Sequence, residues 1–276
     1  MLAGALIFVS QKLYAERRKV FLELESKNNS IISSINYAKR IQNSTLPARN
    51  LFSLFLPESF IFCKPKDIVS GDFYWLEAGG EKVFFAVADC TGHGVPGAMM
   101  SVMCSNLLTK AVMEMNLQEP NEILDKAVEL LEDTFVKSSE DVKDGMDITL
   151  CSYDIRKKEL KYAGAYGALN LINKNGLQVI KGDRQPVGSH HFRKPFTNHV
   201  IQTEEGDCVY LTSDGFADQF GGPKEKKFMV KAFRLLLLDI NKKPMQEQAS
   251  ILNETFGNWK GDLPQIEDVC VMGVRF

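Results

Sequence analysis

The sequence has no Cys-x-x-C pair, no apolar run long enough to span a bilayer and almost no net charge, and each absence excludes something. Its 6 cysteines (Cys63, Cys90, Cys104, Cys151, Cys208 and Cys270) are scattered, which leaves no disulfide framework and no zinc ligand set of the usual spacing. Most lie in apolar runs such as Asp207-Cys208-Val209-Tyr210 and Val269-Cys270-Val271, where cysteine acts as a small hydrophobe. That use of thiols fits a reducing compartment. The 33 basic and 35 acidic residues leave a formal charge of −2, which argues against a large basic surface for nucleic acid. Residues 2–9 are apolar but far short of the ~20 residues that cross a membrane. No basic stretch precedes them and no cleavage site follows, so a secretory signal does not fit. Internal repeats and low-complexity segments are absent.

What is present is the composition of a cored protein, with 45% hydrophobic residues, 25% charged residues, 20 Gly and 10 Pro. A chain of this length buries roughly three-quarters of its unfolded surface and needs no staple. Residues 1–10 form an apolar N-terminal segment followed by Lys12, Arg17, Arg18 and Lys19. This order reads either as the cytoplasmic end of a transmembrane helix or as a frayed amphipathic helix. The first reading places the chain in the cytoplasm at the inner face of the membrane, below a membrane-bound sensor.

Residues 11–46 predict one long helix. Val20, Leu24, Ile31, Ile35, Ala38 and Ile41 recur at spacings of three, four and seven, an apolar stripe that pairs with a second copy of itself or packs on its own domain. Asn28, Asn29 and Ser30 interrupt it. Pro47 and residues 51–57 read as an entry linker, and residues 47–276 as the folded domain. There the pattern turns to short β runs at 72–77 and 82–89, flanking Ala-Gly-Gly-Glu as a hairpin. Helices are predicted over 98–115 and 121–136, strands over 147–155, 159–165, 168–173, 177–180, 198–203 and 207–213, helices over 225–238 and 244–256, and a last strand over 269–276. Strand clusters broken by helix pairs argue an α+β domain with antiparallel sheets.

Four aspartates fall at strand ends in this scheme. Asp72 opens the first hairpin strand and Asp89 closes the second, so the register sets them opposite or within two positions, about 7 Å apart. Asp214 follows the strand 207–213 and Asp268 precedes the strand 269–276. If those strands are antiparallel neighbours, their carboxylates also meet. Oxygen-only ligands suit hard dications such as Mg²⁺ or Mn²⁺, and four carboxylates suit a metal pair that activates water for attack at phosphorus. A lone strand-end Asp is otherwise a turn or cap residue.

Val69-Ser70-Gly71-Asp72-Phe73-Tyr74-Trp75, Ala88-Asp89-Cys90-Thr91-Gly92-His93-Gly94-Val95-Pro96-Gly97-Ala98, Thr212-Ser213-Asp214-Gly215 and Glu267-Asp268-Val269 resemble the metal-dependent PPM-type protein serine/threonine phosphatases. The closer resemblance is to their bacterial SpoIIE branch, the output domain of signalling proteins. It covers about residues 45–276, and Ile35-Asn36-Tyr37-Ala38-Lys39-Arg40-Ile41-Gln42 resembles the signalling helix that precedes such domains. The resemblance implies an α-β-β-α fold, an antiparallel β-sandwich flanked by helix pairs. It also implies hydrolysis of phosphoserine or phosphothreonine on a partner protein such as an anti-sigma-factor antagonist, with two Mn²⁺ or Mg²⁺ ions.

Matched position by position, Asp72, Asp89, Asp214 and Asp268 stand where the family's metal aspartates stand, and Cys90 where a backbone carbonyl ligates. Glu267 departs from a common second Asp. Asp89, Asp214 and His93 are the residues expected to carry catalysis. His93 either protonates the leaving oxygen or only bonds backbone in a tight loop, and Asp147 is either an outer partner of the metal site or a strand cap. Lys224, Lys226, Lys227 and Lys231 read as a solvated face or an acidic-partner dock. Met99, Met100 and Met103 read as core. Two other functions stay open: a catalytically silent regulatory module, and a two-metal phosphohydrolase acting on a small ester. The stalk predicts a homodimer.

Overall fold

The computed structural model describes residues 2–136 and 144–276. Met1 and the side chains of residues 2–9, on which the membrane-end reading rests, lie outside that description. Among the described residues no helix is long and apolar enough to cross a membrane.

Helix α1 (Leu2–Thr45) is continuous over 44 residues. Val20, Leu24 and Ile31 are exposed, Ile35 and Ala38 are half-buried, and Gln42 is buried. Packing on its own domain is therefore confined to the last turns. Helix α2 (Arg49–Phe55) occupies the stretch read as a linker. It is a true element, because Phe52 and Leu56 are buried in the core.

Two antiparallel sheets stack face to face. The first runs β1 (Ser59–Lys64), β13 (Val269–Arg275), β10 (Cys208–Thr212), β6 (Ala168–Asn173), β7 (Gly176–Lys181). The second runs β2 (Phe73–Gly79), β3 (Lys82–Cys90), β4 (Gly145–Asp154), β5 (Glu159–Ala165), β9 (His199–Gln202), with β8 (Val187–Gly188) beside the start of β4. Period-2 alternation decides what each face buries. In β3, Val83, Phe85 and Val87 point between the sheets, where they meet Leu171, Leu211 and Met272. Phe84, Ala86 and Ala88 point the other way, toward Met100, Cys104 and Leu108.

Those last residues belong to α3 (Gly94–Thr109), which continues into a π-helical turn at Lys110–Glu114 and covers the second sheet with α4 (Pro120–Val136). Helix α3 starts before Pro96 because proline is tolerated in a first turn. Helices α6 (Val230–Ile240) and α7 (Met245–Lys260) cover the first sheet, with Phe233, Leu237 and Phe256 against Phe60, Phe62 and Tyr210. The result is the expected α-β-β-α order. Between β10 and α6 come the short α5 (Gly215–Asp218), β11 (Phe220–Gly221) and β12 (Lys226–Lys227). The helix expected from residue 225 thus begins at Val230. Glu225 (φ 47°) and Met229 (φ 77°) adopt left-handed backbone that a helix cannot continue, and the lysine run forms a small hairpin.

Candidate metal centre

The β2–β3 hairpin pairs Phe73 with Ala88, so Asp72 and Asp89 face each other one step further along. Strand β4 pairs antiparallel with β3 and sets Asp147 directly opposite Asp89. Asp147 is no strand cap, since β4 begins two residues earlier. In the other sheet β10 and β13 are antiparallel neighbours. Their ladder is prolonged by Ser213 N–H donating to Cys270 O at 2.9 Å and Cys270 N–H donating to Ser213 Oγ at 2.9 Å. Asp214 and Asp268 therefore leave adjacent strands at one end. A 380 Å³ cavity is lined by Asp72, Asp89, Asp147, Glu267 and Asp268. A second one of 220 Å³ shares Asp89 and Asp147 and reaches Asp214.

Backbone contacts hold the carboxylates. Asp268 Oδ1 accepts from Lys66 N–H at 2.7 Å and Oδ2 from Gly71 N–H at 2.7 Å, which ties the start of β13 to the turn before Asp72. Gly71 has to be glycine: a Cβ there would meet Gly92 O at 2.6 Å and Cys90 O at 3.2 Å. Likewise a Cβ on Gly215 would lie 1.9 Å from Asp268 O. Cys90 turns its thiol into the α3-side core, 3% exposed. Burial and the neighbouring Cys104 push that thiol up, while its carbonyl oxygen borders the Gly71 approach. His93 Nδ1 stands 3.0 Å from Asp67 Oδ2, so its ring is held by a carboxylate rather than by backbone.

Electrostatics mark the cluster. Burial, reinforced by the Asp89 charge, holds the Asp72 carboxyl well above the usual carboxylate range. Burial and then Asp214 push Asp89 up to about 7, and the same two causes push Asp147 up to about 6. Asp214 is raised by burial and by Asp218. Like charges in a low-dielectric wall disfavour ionisation, and a cation reverses that logic. Asp72 Oδ2 is moreover buried without a hydrogen-bond partner, an expensive state for a carboxyl oxygen unless something else ligates it.

Among the described residues no three His, Cys, Asp or Glu side chains close on one point as a ready-made cage. Mg²⁺-type ions keep several waters and take only one or two carboxylates each. The oxygen donors, the orphaned Asp72 Oδ2 and the open cavity fit hydrated divalent ions of that kind.

The structure brings Asp72, Asp89 and Asp268 to one cavity and Asp214 to its neighbour. Asp147 shares both cavities, and its pairing with Asp89 was missed. Two helices separate β3 from β4, so no local turn fixed that register; only the pairing of two acidic strand ends hinted at it. Asp67, as the partner of His93, carried no sequence signal.

The chain has relatives among known families and solved structures. The family described as Stage II sporulation protein E (SpoIIE) matches residues 79–276. The SiaA-PP2C domain of Pseudomonas aeruginosa is 31% identical, with a TM-score of 0.83 over 90% of this chain and 98% of that one. The PP2C phosphatase domain of the cell-fate determinant SpoIIE from Bacillus subtilis, solved with a fragment of its regulatory domain, is 20% identical at a TM-score of 0.63, over 79% of this chain and 63% of that one. The PPM Ser-Thr phosphatase MsPP from Mycobacterium smegmatis, in complex with cacodylate, shares the fold at 13% identity and a TM-score of 0.54, over 80% and 99% of the two chains. Among curated proteins none matches significantly.

Proposed function

We propose, for a chain that belongs to the SpoIIE family of PP2C-type protein serine/threonine phosphatases, that it removes phosphate from phosphoserine or phosphothreonine of a partner protein as the output domain of a bacterial signalling system. The family is metal-dependent, and the reading here is a pair of Mn²⁺ or Mg²⁺ ions. The observation that carries it is the buried, unpartnered Asp72 Oδ2 beside acids pushed up by burial and by one another. Asp72, Asp89, Asp214 and Asp268 would hold the ions with the Cys90 carbonyl oxygen, and Asp147 would orient Asp89 from across the ladder. Divalent ions bound there supply positive charge to the phosphoryl oxygens and acidify the attacking water.

The chain's own groups do the rest. Asp268, fixed through both oxygens by backbone N–H groups, keeps the β13 end in place against the Asp72 turn. His93, with Nδ1 on Asp67, keeps Nε2 for handing a proton to the departing serine or threonine oxygen. The Cys90 thiol is buried and held protonated, so it is not the nucleophile. Residues 47–276 act as the catalytic domain and 11–46 as its signalling helix, dimerising and relaying a membrane-bound sensor. An anti-sigma-factor antagonist carrying phosphoserine is the substrate we favour. The test is phosphate release from a phosphoserine peptide with Mn²⁺ or Mg²⁺ and with excess EDTA. Undiminished turnover in EDTA would sink the reading.

A further inference from the structure

The cavity that adjoins the carboxylate cluster also has a cation among its lining residues. It measures 220 Å³, and its walls include Asp89, Asp147, Asp214 and Arg234 of α6. Arg234 is partly buried, and its Nε–H donates to Asn170 Oδ1 at 3.0 Å. Asn170 is itself only 3% exposed and donates through Nδ2 to Tyr210 O. Among the described residues no carboxylate stands within ion-pair distance of Arg234. Burial alone lowers its pKa.

A guanidinium has five N–H donors in a rigid fork, matched to an oxyanion. Here one donor is spent on orienting the group, and its two terminal nitrogens have no protein anion. A charge withdrawn from water without a counter-charge is costly unless something pairs with it.

Two further features of the same cavity point to a ligand. Thr149 lines it, is only 1% exposed, and has a buried Oγ1 without a hydrogen-bond partner. Tyr166 also lines it, half-exposed, in left-handed backbone at φ 51°. A bulky residue in that region is strained, and such strain concentrates at binding sites.

We propose that Arg234, with Asn170 as its positioning residue, forms a subsite for an acidic side chain next to the phosphorylated residue of the substrate protein. The phosphoryl group lies at the carboxylate cluster, and the flanking carboxylate reaches through the shared Asp89–Asp147 wall to the guanidinium. This deepens the phosphatase reading and rests on it. Specificity for acidic flanks then comes from an attractive contact with a charge the fold leaves unpaired.

The test uses the full chain and three probes: a phosphoserine peptide with glutamates on both sides, the same peptide with glutamines, and p-nitrophenyl phosphate. Binding of the two labelled peptides, made with a non-hydrolysable phosphonate in place of the phosphoserine, is followed by anisotropy with Mn²⁺, and hydrolysis of all three probes is followed with Mn²⁺. For R234Q the expected result is an about tenfold loss of affinity and of kcat/KM on the glutamate peptide. The glutamine peptide and p-nitrophenyl phosphate stay within twofold of wild type. R234K, which keeps the charge without the fork, falls between, and melting curves of both variants establish that the fold is kept. Equal loss on all three probes would overturn the subsite in favour of a phosphoryl contact, and unchanged binding of both peptides would overturn it outright. Absence of any Mn²⁺-dependent hydrolysis by wild type would refute the phosphatase reading instead, whatever the binding arm shows.

Discussion

Gln42, in the last turn of the long helix, and Ser70, two residues before Asp72, hold each other by two hydrogen bonds. Gln42 Nε2 donates to Ser70 O at 2.5 Å, and Ser70 N–H donates to Gln42 Oε1 at 3.2 Å. The same amide nitrogen donates to Ser101 Oγ of α3 at 2.8 Å. Both Gln42 and Ser70 are buried, at 6% and 5% exposure. The next residue, Gly71, donates to Asp268. A movement of the helix end therefore reaches two of the candidate metal aspartates through one turn of backbone.

Gln42→Ala should remove that clamp and leave the Ser70 N–H buried without a partner and its C=O with only the long bond from Ser101 Oγ at 3.4 Å, at a cost of roughly 1–3 kcal/mol. Because the loosened turn carries Asp72, Mn²⁺ affinity should drop by about tenfold as well, the usual range for losing an outer support of a metal site. Thermal melting and a calorimetric Mn²⁺ titration read the two effects separately. A destabilised variant with unaltered Mn²⁺ affinity would show that Gln42 supports the fold alone.

Asp89→Asn and Asp214→Asn should each lower turnover by roughly 100-fold or more while the protein stays folded, since each removes a carboxylate that the metal needs and the isolated fold does not. Cys90→Ala should remain active and lose about 1 kcal/mol of stability, because only the backbone oxygen is asked of that position. Phosphate release and melting curves on metal-loaded protein check all three. A folded, metal-loaded but inactive Cys90→Ala protein would put the thiol into the reaction.

The legibility of this site tracks how locally each contact is set. The Asp72–Asp89 pairing was readable because a tight turn at Gly80 and Glu81 fixes the hairpin register. The β10–β13 neighbourhood could be stated only as a condition, since no turn joins those strands, and the structure meets that condition. Asp147 could be read as an outer partner of the site or a strand cap, but its pairing with Asp89 was not readable, because α3 and α4 lie between the two. Residues 225–229 looked helical from their lysines and glutamate, yet the N–H of Met229 donates to Ala217 O and that of Phe228 to Gln219 O. A tertiary contact overrode local propensity there. The α-β-β-α order came through because each strand's alternation survives such errors at its ends.

Glu119 gives a pH-dependent handle on stability away from the centre. Burial favours its neutral form, but Lys161 Nζ donating to its two oxygens at 2.7 and 2.9 Å, together with the Lys82 charge and the Asn198 amide, outweighs this and lowers its pKa. A carboxyl lowered on folding contributes stability that is fully present above its unfolded pKa of about 4.3, and that stability is lost as pH falls through the lower folded value. Glu119→Gln should therefore destabilise at pH 7 by only about 0.5–1 kcal/mol, since solvent screens the pair. Denaturation curves of variant and wild type should begin to converge below about pH 4 and meet once pH has passed the lower folded value. A gap that persists in acid would assign the effect to packing.

The exposed half of α1 carries the last prediction. Leu24 and Ile31 are seven apart and expose 65% and 57% of their surfaces, as does Val20 at 65%. With Leu24 and Ile31 as one row of the seam, Val20 and Ile41 fall on the other row, which also includes Lys27 and Ser34. Pairing two copies along this face gains roughly 25 cal/mol per Å² of apolar surface removed from water, while Lys27 and Ser34 weaken the middle. A seam strong at its ends and weak between them can hold two registers, which a sensor could exchange. The half-buried Ile35 and Ala38 lie where the stalk meets the domain, about two turns and one turn before Gln42, so a register change would be felt at the Ser70 clamp. Leu24→Glu with Ile31→Glu should convert a parallel homodimer into a monomer at micromolar concentration in sedimentation velocity. It should also shift the Mn²⁺ concentration needed for half-maximal activity, though neither residue is near the centre. A wild-type chain that sediments as a monomer would remove the dimer, and an unmoved Mn²⁺ requirement in a dissociated variant would remove the coupling.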